Sequence, residues 1–238
     1  MRILAFSDIH GHTEAVKRLV SEVSKERFDY IVFAGDFTNA WFDGLKEGRK
    51  QMGEITPVIE SLGKPLYYIY GNRDFSPRDA FYDRNKRKRF GKVECQIGEN
   101  MNSKDCSIGD YTLTNKIKAL DSSKILVTHS LHPSLKSTQA KSLVYLYGHD
   151  HIGRTYKNYV DLGFLYRGRK AHGAIESLFG CYWFIDVDNG KTQVENHSWQ
   201  MKESVCHIHK DQGTFYIPYY WKKSCPLCYD ENEYRLNF

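Results

Sequence analysis

The sequence predicts an α/β fold, and three observations carry that prediction. Short runs that are apolar throughout alternate with amphipathic stretches of helical period. Clusters of Gly, Asp, Asn and His stand where those runs end, and a change to alternating strand patterns follows Gly148. With 238 residues, 41% hydrophobic and 14% aromatic, and a mean hydropathy of −0.58, the chain suits one large domain, or one domain with a small appendage.

Taken in order, residues 3–6 read as a buried strand, and Ala15, Val16, Leu19, Val20 and Val23 then fall at helical spacing behind Thr13 as the cap candidate. Residues 30–34 form the next apolar run. Leu45, Met52, Ile55, Val58, Ile59 and Leu62 follow on a helical stripe that Pro57 kinks and Gly63 closes. Residues 66–70 are a third strand. A third helix is expected to open with Ser76 as cap and Pro77 at its first position, carrying the basic run 84–89. Residues 124–128 and 143–147 complete the series. Strands apolar on both sides are those buried in a parallel sheet, with helices as right-handed crossovers. Beyond Gly148, residues 155–162, 180–188 and 193–199 alternate, with an Asp188-Asn189-Gly190 turn between the last two, as an antiparallel layer would. From about residue 200 the core periodicity fades while Cys and His accumulate, so the expected division is a domain over 1–199 and a Cys/His-rich tail over 200–238.

No apolar run nears the ~18 residues that a membrane span needs, so no membrane insertion is expected. The stretch 3–6 runs directly into Ser7, Asp8 and His10, which leaves no room for a secretory leader. The expected location is the cytoplasm. There, six cysteines are free or metal-bound rather than bridged.

The polar residues are placed for chemistry. Asp8 and His10 end the first run, Asp36 the second, Asn72 the third, His129 the fourth, and His149 and His151 the fifth. At the carboxyl ends of parallel strands these positions converge on one crevice. Three Asp/Asn oxygens and four imidazoles suit a pair of borderline divalent ions, Mn²⁺, Fe²⁺, Zn²⁺ or Ni²⁺, better than Mg²⁺ or Ca²⁺. A pair ~3.5–4 Å apart needs a bridging carboxylate and can hold a hydroxide for in-line attack on phosphorus.

Asp8-x-His10, Gly35-Asp36, Gly71-Asn72-x-Asp74, His129 and Gly148-His149-x-His151 resemble, in order, the signature of the calcineurin-like metallophosphoesterases over roughly the first 150 residues. The resemblance implies that Asp8, His10 and His151 hold one metal, that Asn72, His129 and His149 hold the other, and that Asp36 bridges. It also implies a two-sheet β-sandwich core flanked by helices.

One position departs from that pattern. Where most of the family has a His that contacts the phosphate and helps protonate the leaving oxygen, this chain has Arg73. The local string Gly71-Asn72-Arg73-Asp74-Phe75 is similar to that of UDP-diacylglucosamine pyrophosphatases. Arginine cannot donate a proton at neutral pH but can clamp phosphate oxygens, here oriented by Asp74. The plainer alternative is an ion pair between the two. Leaving groups that need little protonation, such as nucleotide, aryl or anhydride groups, are therefore expected, with His12, His132 or His172 as substitute acids.

Between residues 73 and 92 there are eight Lys or Arg against three Asp, a local excess equal to the +5 of the whole chain. Beside the crevice, Arg73 and Arg78 become substrate-binding candidates, and the segment would draw in a polyanion, nucleic acid among them. A solvated helix face is the plainer reading.

In the tail, Cys206-x-x-His209, fifteen residues, then Cys225-x-x-Cys228 fit a zinc ribbon with one thiolate replaced by imidazole. A segment that short has too little apolar surface to fold unaided, which a structural zinc would supply. The sequence thus points to a metal-dependent phosphodiesterase or phosphatase acting on a phosphate-ester small molecule or nucleotide. A non-catalytic scaffold, or a nucleic-acid or protein-binding module, is the alternative.

Overall fold

The computed structural model describes residues 1–81, 89–135, 141–171 and 174–228, with backbone alone at 77–81, 89–90, 169–171 and 174–176. In chain order the elements are β1 (Arg2–Phe6), α1 (Thr13–Val23), β2 (Tyr30–Phe33), α2 (Ala40–Asp43), α3 (Leu45–Glu60) and β3 (Leu66–Tyr68). Then come β4 (Phe75–Phe81), β5 (Arg89–Lys92), β6 (Glu99–Asn100), β7 (Cys106–Ile108), β8 (Tyr111–Thr114), β9 (Lys124–Val127) and β10 (Val144–Tyr147). The strands that follow are β11 (Gly153–Tyr156), β12 (Tyr159–Leu162), β13 (Tyr166–Ala171), β14 (Ala174–Phe179), β15 (Cys181–Asp188), β16 (Lys191–Ser198), β17 (Met201–Val205) and β18 (Thr214–Pro218).

Two sheets face each other. One has the order β16-β15-β1-β2-β3-β6 and the other β17-β18-β11-β12-β10-β9-β8-β7. Strand alternation explains the layering: Ile3 and Ala5 of β1 point into the apolar layer between the sheets, with Val32, Ile125, Val144, Leu146 and Trp183. Leu4 and Phe6 point the other way, against Val16 and Leu19 of α1 and Met52, Ile55 and Ile59 of α3. Both faces of β1 are therefore buried, and the α/β β-sandwich implied by the resemblance is the observed architecture.

The expected single parallel sheet divides in two. β1, β2 and β3 run parallel in the first sheet, whereas β9 and β10 run parallel in the second. Among the described residues, the outer face of β9 and β10 is covered by Ile117, Leu120, Leu131 and Leu135 around Leu126, Tyr145 and Tyr147, from loops and one short 3-10 turn rather than an α-helix. Apolar runs record burial on both faces without saying what covers them. The stretch 155–162 is two antiparallel strands that turn at Lys157, which has φ 55°. The Asn189-Gly190 turn joins β15 to β16 with φ of 48° and 73°, as a tight hairpin requires.

α1 is capped by His12 rather than Thr13: Ala15 N–H donates to His12 Nδ1 at 3.2 Å. Pro57 lies within the last turn of α3, and Gly63, with φ +61°, turns the chain out of it. The third helix is absent from the described part of its span. Residues 75–81 and 89–92 instead form the antiparallel hairpin β4–β5, and residues 82–88 lie outside the described residues. The sequence there has no apolar stripe and places like charges at helical spacing, as at Arg84 and Lys88, which disfavours a helix. Pairing is favoured because Val93 is buried in the helix-side core and its N–H donates to Asp74 O at 2.9 Å.

The tail continues the second sheet, because β18 pairs with β11 and β17 with β18. All six cysteines are unbridged. No helix among the described residues is long and apolar enough to cross a membrane.

Candidate metal centre

The register of the strands brings the polar clusters to one end of the sandwich. Phe6 pairs with Phe33, Phe33 with Tyr68, and Val127 with Leu146, so the chain leaves β1, β2, β3, β9 and β10 at the same level. Asp8 and His10 follow β1, Asp36 follows β2, Asn72 follows β3, His129 follows β9, and His149 and His151 follow β10.

Side-chain donors gather there in two groups. The ligand atoms of Asp8, His10 and His151 lie within 4.8 Å of one another, as do those of Asp36, His129 and His149. In the first group His10 Nε2 is 2.9 Å from His151 Nε2, and Asp8 Oδ1 is 3.1 Å from His151 Nε2. In the second, His129 Nε2 is 3.2 Å from His149 Nδ1, 3.3 Å from Asp36 Oδ2 and 2.9 Å from Asn72 Oδ1. Asp36 Oδ2 also lies 4.0 Å from His10 Nδ1, so it stands between the groups.

The backbone is arranged around these atoms. Among the described residues, eight non-glycine positions have positive φ, and five of them are Asp8, His10, Asp36, His149 and His151. Left-handed backbone costs on the order of 1 kcal/mol or more per residue, less for Asp, and concentrates at functional sites. Two glycines permit the close approach. A Cβ on Gly71 would meet Asp36 Oδ1 at 2.1 Å, and one on Gly148 would meet Asp8 Oδ2 at 2.5 Å.

Each carboxylate is tied by one oxygen and turned to the imidazoles by the other. His149 N–H donates to Asp8 Oδ2 at 3.0 Å, which leaves Oδ1 toward His10 and His151. Arg73 N–H donates to Asp36 Oδ1 at 2.7 Å, which leaves Oδ2 toward His129 and His10. His129 Nδ1–H donates to Ala34 O at 2.8 Å, which turns Nε2 toward Asp36 and Asn72, where its lone pair would be free for a cation once the ring gives up its second proton. Burial works against charge on His129, but Asp36 and Asp8 outweigh it and push the imidazole up to about 9. Burial would also raise Asp8, yet His10 and His151 hold it well below the usual carboxylate range. For His151 burial prevails over Asp8 and pulls it down to about 4. Lone pairs of facing imidazole nitrogens, backed by two buried carboxylates, are a donor set that fits borderline divalent cations.

Asp74 does not orient Arg73. Its buried carboxylate accepts four hydrogen bonds, from Thr38 N–H (2.9 Å) and Thr38 Oγ1–H (3.1 Å) on Oδ1, and from Asp36 N–H (3.1 Å) and Gly71 N–H (3.0 Å) on Oδ2. Burial and the neighbouring Asp36 carboxylate push it up to about 6. It clamps the loops after β2 and β3 together, a positioning role. The Arg73 guanidinium instead lies over the Phe42 ring, 4.2 Å from its centroid, half-buried and within the field of Asp36 and Asp8.

His12 is also otherwise engaged. Besides capping α1 through Nδ1, its ring stacks on Tyr166 at 3.5 Å, and burial lowers its pKa, which disfavours the protonated form an acid needs. His132 Nδ1 pairs with Ser134 Oγ at 2.8 Å on an exposed loop. His172 lies outside the described residues, and so does the side chain of Arg78, whose backbone is in β4. Two residues near the site carried no motif in the sequence: Phe42, and Arg167, buried over the Phe164 ring, whose positive charge reaches His151. Their spacing from the motifs, in separate elements, offers no periodic signal.

In the tail, the donor atoms of Cys206, His209, Cys225 and Cys228 form a third group within 4.8 Å of one another.

Comparison with known proteins gives one family. A model of the calcineurin-like phosphoesterase superfamily domain matches residues 1–188. Among solved structures, TT1561 of Thermus thermophilus is similar at 15% identity and a TM-score of 0.51, over 82% of this chain and 98% of that one. A metallophosphoesterase from Sphaerobacter thermophilus follows at 14% identity and a TM-score of 0.45, over 84% of this chain and 88% of that one. At 15% identity the likeness to TT1561 is one of fold. No curated protein matches.

Proposed function

Because the chain belongs to the calcineurin-like phosphoesterase superfamily and is thereby a metal-dependent hydrolase of phosphoric esters, we propose that its substrate is a phosphodiester or nucleotide-type ester, cleaved over two divalent ions. In this reading Asp8, His10 and His151 hold one ion and Asn72, His129 and His149 the other. Asp36 would contribute to holding both, a role supported by the position of its carboxylate between the two groups. Two divalent ions bound there supply Lewis acidity toward the phosphoryl oxygens and lower the pKa of a coordinated water.

The remaining work falls to the chain itself. Asp8 and Asp36 each keep one oxygen on a backbone N–H, so their free oxygens are fixed in direction before any ligand arrives. Arg73, braced on Phe42, is a permanent cation beside Asp36. It is suited to bind two phosphoryl oxygens at once and to stabilise charge that grows on them.

The observation that carries the substrate assignment is the identity and setting of residue 73. A guanidinium cannot protonate a leaving oxygen, His12 is committed to a helix cap, and Asp74 is saturated by donors from the backbone and Thr38. A site so equipped favours leaving groups that depart as stable anions, as phenolates do and as a nucleoside monophosphate does from an anhydride. The scaffold alternative gains no support, since all seven ligand positions keep metal-binding side chains.

The test is hydrolysis of bis-p-nitrophenyl phosphate and a graded series of aryl and alkyl phosphodiesters and monoesters with Mn²⁺. Rates should fall steeply as leaving-group pKa rises, and Arg73→Ala should lower kcat/KM by about 10²-fold, the size expected for one lost donor to developing charge. Equal turnover of alkyl monoesters and aryl diesters would refute the substrate reading. Unchanged hydrolysis in Asp36→Ala would refute the site.

A further inference from the structure

The hydrolase reading leaves the cysteines of the tail unused, and their geometry is specific. Cys206 Sγ lies 3.3 Å from Cys228 Sγ and 3.5 Å from His209 Nδ1. Cys225 Sγ lies 3.5 Å from Cys228 Sγ and 3.4 Å from His209 Nδ1, and Cys228 Sγ is 3.6 Å from His209 Nδ1. We propose that Cys206, His209, Cys225 and Cys228 bind one structural zinc ion, which fastens the β17–β18 hairpin to β11, the strand that follows His151.

The distances decide between a metal and a disulfide. No sulfur pair approaches the ~2.05 Å of a disulfide. A tetrahedral zinc with bonds of about 2.3 Å to sulfur and 2.0–2.1 Å to nitrogen separates its ligands by about 3.8 Å for sulfur pairs and 3.6 Å for sulfur and nitrogen. The sulfur–nitrogen spacings of 3.4, 3.5 and 3.6 Å match their edge, and the sulfur pairs at 3.3 and 3.5 Å are somewhat tighter than theirs. Three thiolates and an imidazole form a soft, closed set that selects zinc over the harder ions. With four protein donors no position is left for water, which marks a structural site. His209 N–H also donates to Cys206 Sγ at 3.4 Å, the kind of outer hydrogen bond that steadies a ligating thiolate.

The ion would stand in for a core that the tail lacks. Apart from Cys206 and Cys225, the buried apolar cluster there consists of Ile152, Phe215, Ile217 and Trp221. Ile152 immediately follows His151, and β11 begins one residue later. β18 pairs with β11 through Gly153–Tyr216, Arg154–Phe215 and Thr155–Thr214. Arg154 donates from Nε to Gln212 O at 2.8 Å and from Nη2 to Gln212 Oε1 at 3.0 Å, which ties the segment between the two ligand pairs to the same strand. The last metal motif of the hydrolase thus leads straight into a strand whose outer edge is held by this hairpin.

Zinc content of the full chain after dialysis against a chelator tests the site. One zinc per chain should remain, Cys225→Ser should reduce it to background, and His209→Cys, which keeps four donors, should retain it. Cobalt added to the zinc-free wild-type chain should give the intense thiolate-to-cobalt charge-transfer absorption. The Asp/His centre holds no sulfur and cannot produce that band, so this readout needs no variant and is independent of hydrolysis. Absence of the band, or zinc unchanged in Cys225→Ser, would overturn the site. Amide exchange tests the fastening: β18 and Gly153 should exchange at least tenfold faster without zinc, and equal protection would overturn that part.

Discussion

Asp74 is the residue whose loss the geometry judges most sharply. In Asp74→Ala, the N–H groups of Asp36, Thr38 and Gly71 lose a buried acceptor, while the Thr38 hydroxyl can turn elsewhere. At ~1–3 kcal/mol for each stranded buried donor, with some water entry, the cost is about 3–6 kcal/mol. That is a large part of the ~5–15 kcal/mol that holds a domain folded. Asp74→Asn separates two effects. Its amide NH₂ must face one donor pair; turned toward Thr38, where the hydroxyl can rotate to accept, it strands only Thr38 N–H, at about 1–3 kcal/mol. Because the neutral amide also escapes the burial cost that holds the Asp74 carboxyl up to about 6, the Asn variant should lie close to wild type and the Ala variant well below both, read from urea unfolding with an unchanged m-value. Asp74→Asn should also lose up to ~10²-fold in kcat, because the loops carrying Asp36 and Asn72 are no longer clamped in register. An Ala variant within about 0.5 kcal/mol of wild type, the range of an inconsequential surface change, would refute the clamp.

Other expectations follow from the same contacts. Gly71→Ala would set a Cβ 2.1 Å from Asp36 Oδ1, so Mn²⁺ affinity measured by calorimetry should fall at least tenfold while the far-UV dichroism stays native. Asp161 is buried, and burial, then Asp150, raise its pKa well above the ordinary range. A raised carboxyl pKa means that ionisation opposes folding, so Asp161→Asn should raise Tm at neutral pH, and the difference should vanish as pH falls to about 4, the ordinary Asp value. Mn²⁺ at 100 times its Kd should add ~2.7 kcal/mol of stability, a rise of about 5–10 °C for a chain of this size, and Asp36→Ala should abolish most of it.

Much of the fold and of the candidate site is legible in the sequence, for a physical reason. Asp8, Asp36, Asn72, His129 and His149 end strands whose burial on both faces leaves unbroken apolar runs, so their placement needs only the rule that parallel strands end together. What that pattern omits is which sheet a strand joins. β9 and β10 read like β1 and β2 because loop residues around Tyr145 exclude water as well as a helix does. Arg73 beside Asp74 reads as a clamp oriented by that carboxylate, or as a plain ion pair with it, yet the backbone turns their side chains apart, one to Phe42 and the other to the amides of Asp36, Thr38 and Gly71. Thr13 reads as the cap because threonine is a preferred capping type, yet His12 takes that place, its imidazole stacked on Tyr166 from far along the chain. The hairpin β4–β5 depends on Val93 finding the helix-side core, a contact that local propensity does not encode.

Diffraction at the manganese absorption edge, on crystals grown with Mn²⁺, addresses the metal pair itself. Two anomalous peaks ~3.5–4 Å apart are expected, both in contact with Asp36 Oδ2. One peak should be bounded by Asp8, His10 and His151, and the other by Asn72, His129 and His149. A single peak, or peaks that Asp36 does not touch, would contradict this pairing.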